Sequence, residues 1–255
     1  MYHCNFVINI ITKNEKMQEE IQAVSAPERF QLEYIMDAAP QNDSVKKADL
    51  IIWDTELAPE EIQSTLSFIR ANKKTKAEII LSITSFVANN FTKDMYKGIE
   101  QVWIKPYSTE RLQYMFEQYM KQQKAQKDSW LTSHYLDALI DGIPDMVWFK
   151  DKIGMHMKVN QAFCDTVSKT KEQVQGRGHY YIWNIEPEEY SKGEYICMES
   201  EAQVMNEKKT CVFEEKVKVK DEMRTLCTYK TPLFDLDGSV MGTVGLAHDI
   251  TKEKA

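Results

Sequence analysis

Residues Thr228–Thr251 read TYKTPLFDLDGSVMGTVGLAHDIT. Two strand-like runs, Leu226–Phe234 and Val240–Ala247, flank Asp237-Gly238. A tight turn is expected there, because Gly accepts a positive φ and Asp can bond its own backbone. The second run carries three small residues, Gly242, Gly245 and Ala247, among apolar ones. A strand built this way lets another group come close to its backbone. The hairpin leaves through Asp249-Ile250-Thr251 into a charged tail.

Upstream of this hairpin the pattern continues. Cys211–Val219 is a strand candidate, and Met223–Pro232 begins the hairpin's first arm. Pro144–Lys150 and Met155–Val159 form another strand pair around Asp151-Lys-Ile-Gly154. Between the two groups lies a helical middle. Asn160 can cap a helix holding Ala162, Phe163 and Val167. Thr170-Lys-Glu-Gln173 has capping-box spacing. Gly176–Trp183 is loop-like, and Pro187 opens a glutamate-rich helix expected to run through Met205. Two strands, helices, then three strands predict an α+β domain: a five-stranded antiparallel sheet with helices on one face.

The stretches IPDMVWFKD (143–151), KVNQAFCDTV (158–167), LFDLDGSVMGTVG (233–245) and HDIT (248–251) resemble a PAS sensor domain over residues 134 to 251. That resemblance implies a ligand space between the sheet and the helices, lined by apolar and aromatic groups with a few polar anchors. Trp148, Phe163, Tyr180, Tyr181, Trp183, Tyr229 and Leu246 are the lining candidates. Arg177 and His179, within GRGHYYIWNI, are candidate anchors for an acidic ligand. The alternative is that the aromatics are plain core and the basic loop faces water. The resemblance also makes Asp249 and Thr251 the junction through which a signal leaves.

Flavin photosensors of this family carry an asparagine-cysteine-arginine motif, which is absent here. Haem relatives use a histidine from the helical middle, where His179 stands alone. The expected cofactor is therefore none or an unidentified small molecule, with flavin and haem disfavoured. No histidine–carboxylate group has metal spacing, so no metal site is expected.

The first half alternates short apolar runs with amphipathic stretches. The strand candidates are Asn5–Thr12, Phe30–Met36, Asp49–Asp54, Glu78–Thr84 and Gln101–Ile104. The helix candidates are Glu15–Ser25, Asp43–Ala48, Pro59–Ala71, Asn90–Gly98 and a last one capped by Ser108 or Thr109. Five of each predict a doubly wound α/β domain with a five-stranded parallel sheet. Active groups in such sheets gather at the carboxyl ends of the strands, where Asp54 and Lys105 fall.

Residues 4 to 122 resemble a response-regulator receiver domain. Asp54 matches its phosphate-accepting aspartate, and Lys105-Pro106 its lysine and the following proline, whose bond is usually cis. Ser82 or Thr84 matches the hydroxyl residue of the fourth strand. Receivers hold magnesium with two acidic residues after the first strand, whereas here the stretch reads Ile10-Ile-Thr-Lys-Asn-Glu15. Phosphoryl transfer needs a cation to offset oxygen charge. A degenerate receiver with a structural Asp54–Lys105 ion pair is the preferred reading; phosphorylation of Asp54 by a histidine kinase is the rival.

The polar run KQQKAQKDS (121–129) can continue the last helix as a connector, which should stop near Asp141-Gly142-Ile-Pro144. The expected organisation is a receiver-like domain over 1–122, a helical connector over 123–140, a PAS domain over 141–251 and the start of an output linker over 252–255. Helices placed like this connector often pair with a second copy, so a homodimer is expected.

The 255 residues allow two ordinary domains, and 43% apolar with 28% charged residues is a globular balance. A net charge of −7 argues against nucleic acid as a partner. No apolar run approaches the roughly 18 residues of a membrane span. Residues 1 to 12 lack the basic start and cleavage site of a signal peptide. Five cysteines without CxxC spacing suggest reduced thiols and a cytoplasmic address.

No phosphate loop, GxSxG or HExxH occurs, and no carboxylate pair is set apart by its surroundings. Catalysis is not expected within the chain. Together these features predict a signalling sensor that relays to an output domain beyond residue 255 or on a separate protein. In relatives that output is a diguanylate cyclase or a histidine kinase, the cyclase being the better match. The remaining alternative is a dimerisation scaffold with an empty PAS core.

Overall fold

In the computed structural model, which describes residues 2–193, 195–219 and 222–253, the chain divides into two units, Met1–Leu131 and Thr132–Ala255. The first unit contains β1 (Cys4–Ile11), α1 (Glu15–Gln22), β2 (Phe30–Asp37), α2 (Asn42–Lys47), β3 (Leu50–Asp54), α3 (Pro59–Asn72), β4 (Glu78–Thr84), α4 (Ser85–Asn89) and β5 (Gln101–Lys105). Helix α5 (Thr109–Asp141) begins in this unit, and the boundary between units falls within it.

All strand pairs of the first sheet are parallel, in the order β2-β1-β3-β4-β5. This is the doubly wound, flavodoxin-like order. The central strands are apolar on both faces, as a sheet covered by helices on each side requires. Ile51, Ile79 and Leu81 pack under α3 through Ile62, Leu66 and Ile69. Ile8, Ile52 and Ile80 belong to the opposite core with Leu112, Phe116 and Tyr119 of α5. The Tyr119 hydroxyl reaches through this core to donate to Glu78 at 2.8 Å.

Local signals account for most boundaries. Asn14 caps α1, its side chain accepting from Met17 N–H. Pro59 starts α3, and Glu61 accepts from the Ala58 N–H. Of the two hydroxyls offered for α5, Ser108 Oγ accepts the Arg111 N–H, while Thr109 bonds Glu20. The helix expected over Asn90–Gly98 lies earlier, at α4. Thr84 caps it directly off β4, and Asn90 ends it by donating to the Phe86 carbonyl.

The second unit holds the end of α5 followed by β6 (Met146–Asp151), β7 (His156–Val159), α6 (Gln161–Val167), α7 (Lys171–Val174), α8 (His179–Trp183), α9 (Pro187–Lys192), α10 (Cys197–Glu207), β8 (Cys211–Val219), β9 (Glu222–Phe234) and β10 (Val240–Asp249). The sheet is antiparallel, in the order β7-β6-β10-β9-β8. The hairpin expected around Asp237-Gly238 forms as β9 and β10, with Gly238 at φ +80°. Gly245 stands opposite Trp148 in the register, and a Cβ there would overlap the indole ring.

Asn160 joins this unit's parts. Its Oδ1 accepts from Val147 and Phe163, and its Nδ2 donates to the carbonyls of Ile140, Ile143 and Asp145. It thereby caps α6, holds β6 and fixes the chain leaving α5.

Two expectations in the helical middle are corrected. Gly176–Trp183 is not all loop, since His179–Trp183 makes the turn α8. The helix expected over Pro187–Met205 is two helices, α9 and α10, with Glu194 between them outside the described residues. Gly193 closes α9, its N–H donating to Glu189 and Tyr190. Tyr190 then starts α10, its hydroxyl accepting from Met198 N–H and donating to Glu199. Of the tail expected as an output linker, Lys254 and Ala255 lie outside the described residues.

Candidate functional site

Two places carry the candidate residues. In the first unit, Asp54 ends β3 with Ser82 beside it on β4. Lys105 Nζ lies 2.9 Å from Asp54 Oδ1, which also accepts from Ser82 Oγ at 2.9 Å. The other oxygen, Oδ2, accepts from Thr12 Oγ1 at 2.7 Å. Ser82 also bonds the Tyr107 hydroxyl at 2.8 Å. Burial, followed by the charges of Asp54 and Glu20, pushes the Tyr107 hydroxyl up to about 12 against the lowering bond from Ser82. The Lys105–Pro106 bond is cis.

The register decides between the two hydroxyl candidates. Ser82 faces Asp54, whereas Thr84 pairs with Lys105 and spends its oxygen capping α4. Thr12 and Tyr107 complete the site and went unrecognised in the sequence. Thr12 directly follows β1, with Lys13 next to it lining an open groove of about 760 Å3 beside Asp54. Among the described residues no group of three or more His, Cys, Asp or Glu is placed to hold a metal ion. No helix among them is long and apolar enough to cross a membrane.

The second place is the concave side of the antiparallel sheet. Trp148, Phe163, His179 and Trp183 meet there, with Phe163 at 5.9 Å from the Trp148 ring and 6.1 Å from Trp183. The remaining candidates do not join them. Tyr229 and Leu246 are cross-strand partners on the opposite face, because side chains alternate and Thr228, Lys230, Gly245 and Ala247 take the inner positions. Arg177 and Tyr181 stay at the surface, the guanidinium lying 5.0 Å over the tyrosine ring. Tyr180 is half-buried, 5.8 Å from the Tyr190 ring.

What fills the concave side is charged. Lys150 Nζ is 3.0 Å and Lys230 Nζ 3.4 Å from Glu201 Oε1. Trp148 Nε1 donates to the same oxygen at 3.3 Å, and Thr243 donates to Glu201 Oε2. Lys230 also bonds Glu215 Oε1 at 2.7 Å, Ser200 Oγ at 2.6 Å and the Cys197 carbonyl at 3.0 Å. The Lys230 side chain is 1% exposed and those of Glu201 and Glu215 are 7% and 3%. Burial would raise the Glu201 carboxyl, but Lys150 and Lys230 outweigh it and hold the group at about 2.

Two imidazoles border this cluster. Burial, then the Lys150 ammonium, lower both His156 and His179 to about 3, so each is neutral. His156 Nδ1 meets the Arg177 carbonyl at 2.9 Å; a carbonyl only accepts, so Nδ1 carries the proton. His179 Nδ1 is buried and has no hydrogen-bond partner among the described residues. Burial and the nearby Glu215 push the Cys197 thiol up to about 12. The void left among these groups is about 20 Å3, room for roughly one water molecule.

Lys150, Lys230, Glu201, Glu215, Ser200 and Thr243 were not among the sequence candidates. A period-two reading could have found four of them. Lys150 is in phase with Met146 and Trp148, Lys230 with Leu226 and Thr228, Glu215 with Val217 and Val219, and Thr243 with Gly245 and Ala247. On α10 the buried stripe is Cys197, Ser200, Glu201 and Val204, so two polar residues occupy a face expected to be apolar.

At the carboxyl end, Asp249 pairs with Arg224 at 2.9 Å and accepts from the Thr251 N–H and hydroxyl. Thr251 Oγ1 in turn accepts from Thr225 N–H at 2.9 Å. The two exit candidates thus fasten the chain to β9.

A family model described as the PAS fold matches residues 140–255. Among solved structures, the PAS domain of BvgS from Bordetella pertussis is similar at 22% identity, covering 47% of this chain and 86% of that one, with a TM-score of 0.33. A PAS domain from Colwellia psychrerythraea is similar at 18% identity, covering 48% of this chain and 98% of that one, with a TM-score of 0.39. A domain of a sensory box sensor histidine kinase/response regulator from Geobacter sulfurreducens is similar at 20% identity, covering 47% and 96% of the two chains, with a TM-score of 0.36. No curated protein matches the chain. The family match over residues 140–255 and the five-stranded antiparallel sheet formed there give this part of the chain the PAS fold.

Proposed function

We propose that this chain is a sensory module of a signalling system. Its PAS domain takes up a small polar molecule and passes the change along β10, through Asp249 and Thr251, to an output partner such as a diguanylate cyclase or a histidine kinase. The observation that carries this reading is the buried charged cluster. Apolar side chains of similar volume would fill the concave side without the desolvation cost of four charges, and such replacements are often neutral or stabilising. Polarity kept in that position supports a recognition role. A panel of small molecules tested by thermal melting of the full chain checks it, since whatever binds the folded form raises its midpoint. A panel that moves nothing sinks the sensor reading.

A receiver-like role for the first unit is part of the proposal, without phosphorylation of Asp54. Both Asp54 oxygens are engaged by Lys105, Ser82 and Thr12, and Lys13 brings positive charge where a metal's ligands would be needed. Beryllofluoride with magnesium should therefore leave the full chain unchanged. A change lost in Asp54→Asn would support the rival, an active phosphoacceptor. In this reading the chain works in the cytoplasm, carries no catalytic step of its own and pairs with a second copy.

The scaffold reading has one observation in its favour, the 20 Å3 void, which is too small for any metabolite without movement of a helix. Ligand uptake must then displace something already present.

A further inference from the structure

Trp148 and Lys150 on β6 and Thr243 on β10 direct hydrogen-bond donors at one carboxylate, that of Glu201, and the Lys230 ammonium on β9 pairs with it at 3.4 Å. The donors belong to the sheet and the carboxylate to α10. The sheet alone therefore presents a receptor for a carboxylate, and the helix fills it. A second observation concerns a residue that lines the same void: His179 on α8 is 7% exposed, and its Nδ1 has no hydrogen-bond partner among the described residues.

We propose that this receptor binds a small organic carboxylate, which exchanges with the side chain of Glu201. The inference rests on the sensor reading above and names the class of its ligand. Charge selects that class. Lys150 and Lys230 balance Glu201 and Glu215, leaving a buried cluster of zero formal charge. Swinging Glu201 out to water leaves one ammonium uncompensated in a dry core, which is strongly unfavourable. A monoanionic carboxylate restores the balance. A neutral molecule does not, a cation worsens it, and a phosphate dianion overshoots to the opposite sign.

Geometry narrows the class further. The two oxygens of Glu201 already show where the ligand's oxygens sit: one toward Lys150, Lys230 and the indole N–H, the other toward Thr243. The void and the space vacated by Glu201 together suit acids of a few carbons, with His179 Nδ1 available to a further polar atom. Release of Glu201 also frees α10 from Thr243 on β10, the strand that ends at Asp249. Binding and exit are thus joined through one hydrogen bond.

The test uses the full chain with sodium acetate and propionate, against sodium chloride and phosphate at matched ionic strength. The Trp148 indole N–H resonance, assigned with Trp148→Phe, is followed by NMR. The carboxylates should shift it saturably while chloride and phosphate do not. Glu201→Ala should bind acetate roughly tenfold or more tightly than the natural chain, because no internal carboxylate competes. Glu201→Gln, close in shape, serves if the alanine variant does not fold. The absence of a saturable carboxylate response in the natural chain and in whichever variant folds overturns the proposal. If neutral or cationic compounds occupy the core while carboxylates do not, the ligand class is wrong and the sensor reading stands. If nothing in a mixed panel moves the resonance, both fall and the scaffold reading replaces them.

Discussion

Replacing Lys230 with methionine removes one ammonium from a core position 1% exposed to solvent. Three things happen at once. Glu215 loses its 2.7 Å partner, Ser200 and the Cys197 carbonyl lose a donor, and the cluster goes from formal neutrality to one excess negative charge. Removing one member of a buried ion pair costs about 3–5 kcal/mol, because the charge left behind is neither solvated nor paired. Glu215→Leu should cost a similar amount for the mirror reason. The double variant Lys230→Met/Glu215→Leu removes the pair as a unit and returns the cluster to neutrality. It should therefore lie within about 2 kcal/mol of the natural chain, and a coupling of about 3 kcal/mol or more should appear in the cycle. Because the chain has two units, amide hydrogen exchange of β6, β9 and β10 is the proper assay, reporting the opening of that sheet alone. If the double variant equals the sum of its singles within about 0.5 kcal/mol, the cluster does not act as one charge-balanced body and the reasoning fails.

Acid should destabilise the PAS domain well above the carboxylate range. His156 and His179 are lowered to about 3 in the fold and return to 6.5 when unfolded, so the unfolded chain binds more protons between those values. Their stabilisation is complete above pH 6.5 and is lost as pH falls toward 3. At 1.36 kcal/mol per pH unit for each group, the pair removes about 4 kcal/mol by pH 5. Glu201, held at about 2, adds to the loss only below 4.5. Exchange or urea melts at pH 7.5, 6 and 5 check this, and a flat profile contradicts it. Asn160→Ala should cost about 3 kcal/mol or more, since its fully buried amide serves five backbone groups, each expensive to orphan. A loss under about 1 kcal/mol in a urea titration counts against that account. Gly245→Ala should cost about 2–3 kcal/mol, its Cβ meeting the Trp148 ring, with a change in tryptophan emission as the visible sign.

Periodicity and turn chemistry carried the fold. The continuous apolar runs of β3 and β4, the caps at Asn160 and Thr170, the Asp237-Gly238 turn and the small residues of β10 are all local signals, and each sits where local physics puts it. The carboxyl ends of parallel strands also bring Asp54 and Lys105 together by topology alone. What the local signals could not reach was the break between α9 and α10, which depends on a tyrosine hydroxyl capping a helix eight residues downstream.

The candidate site divides in the same way. Aromatic content marked Trp148, Phe163 and Trp183, but it also marked Tyr229 and Tyr181, because composition says nothing about which face a side chain takes. Strand parity settles that for Tyr229, and register settles Ser82 against Thr84. The charged cluster needed the tertiary structure most. A lysine in a strand ordinarily reads as solvent-facing, and only the arrival of Glu201 from a helix and Glu215 from another strand makes it possible to bury Lys150 and Lys230. Sequence alone determined where the backbone turns and which runs are apolar, since those depend on neighbours a few residues apart. Structure alone decided which charges meet, since that depends on groups up to 51 residues apart whose desolvation is tolerable only in each other's company.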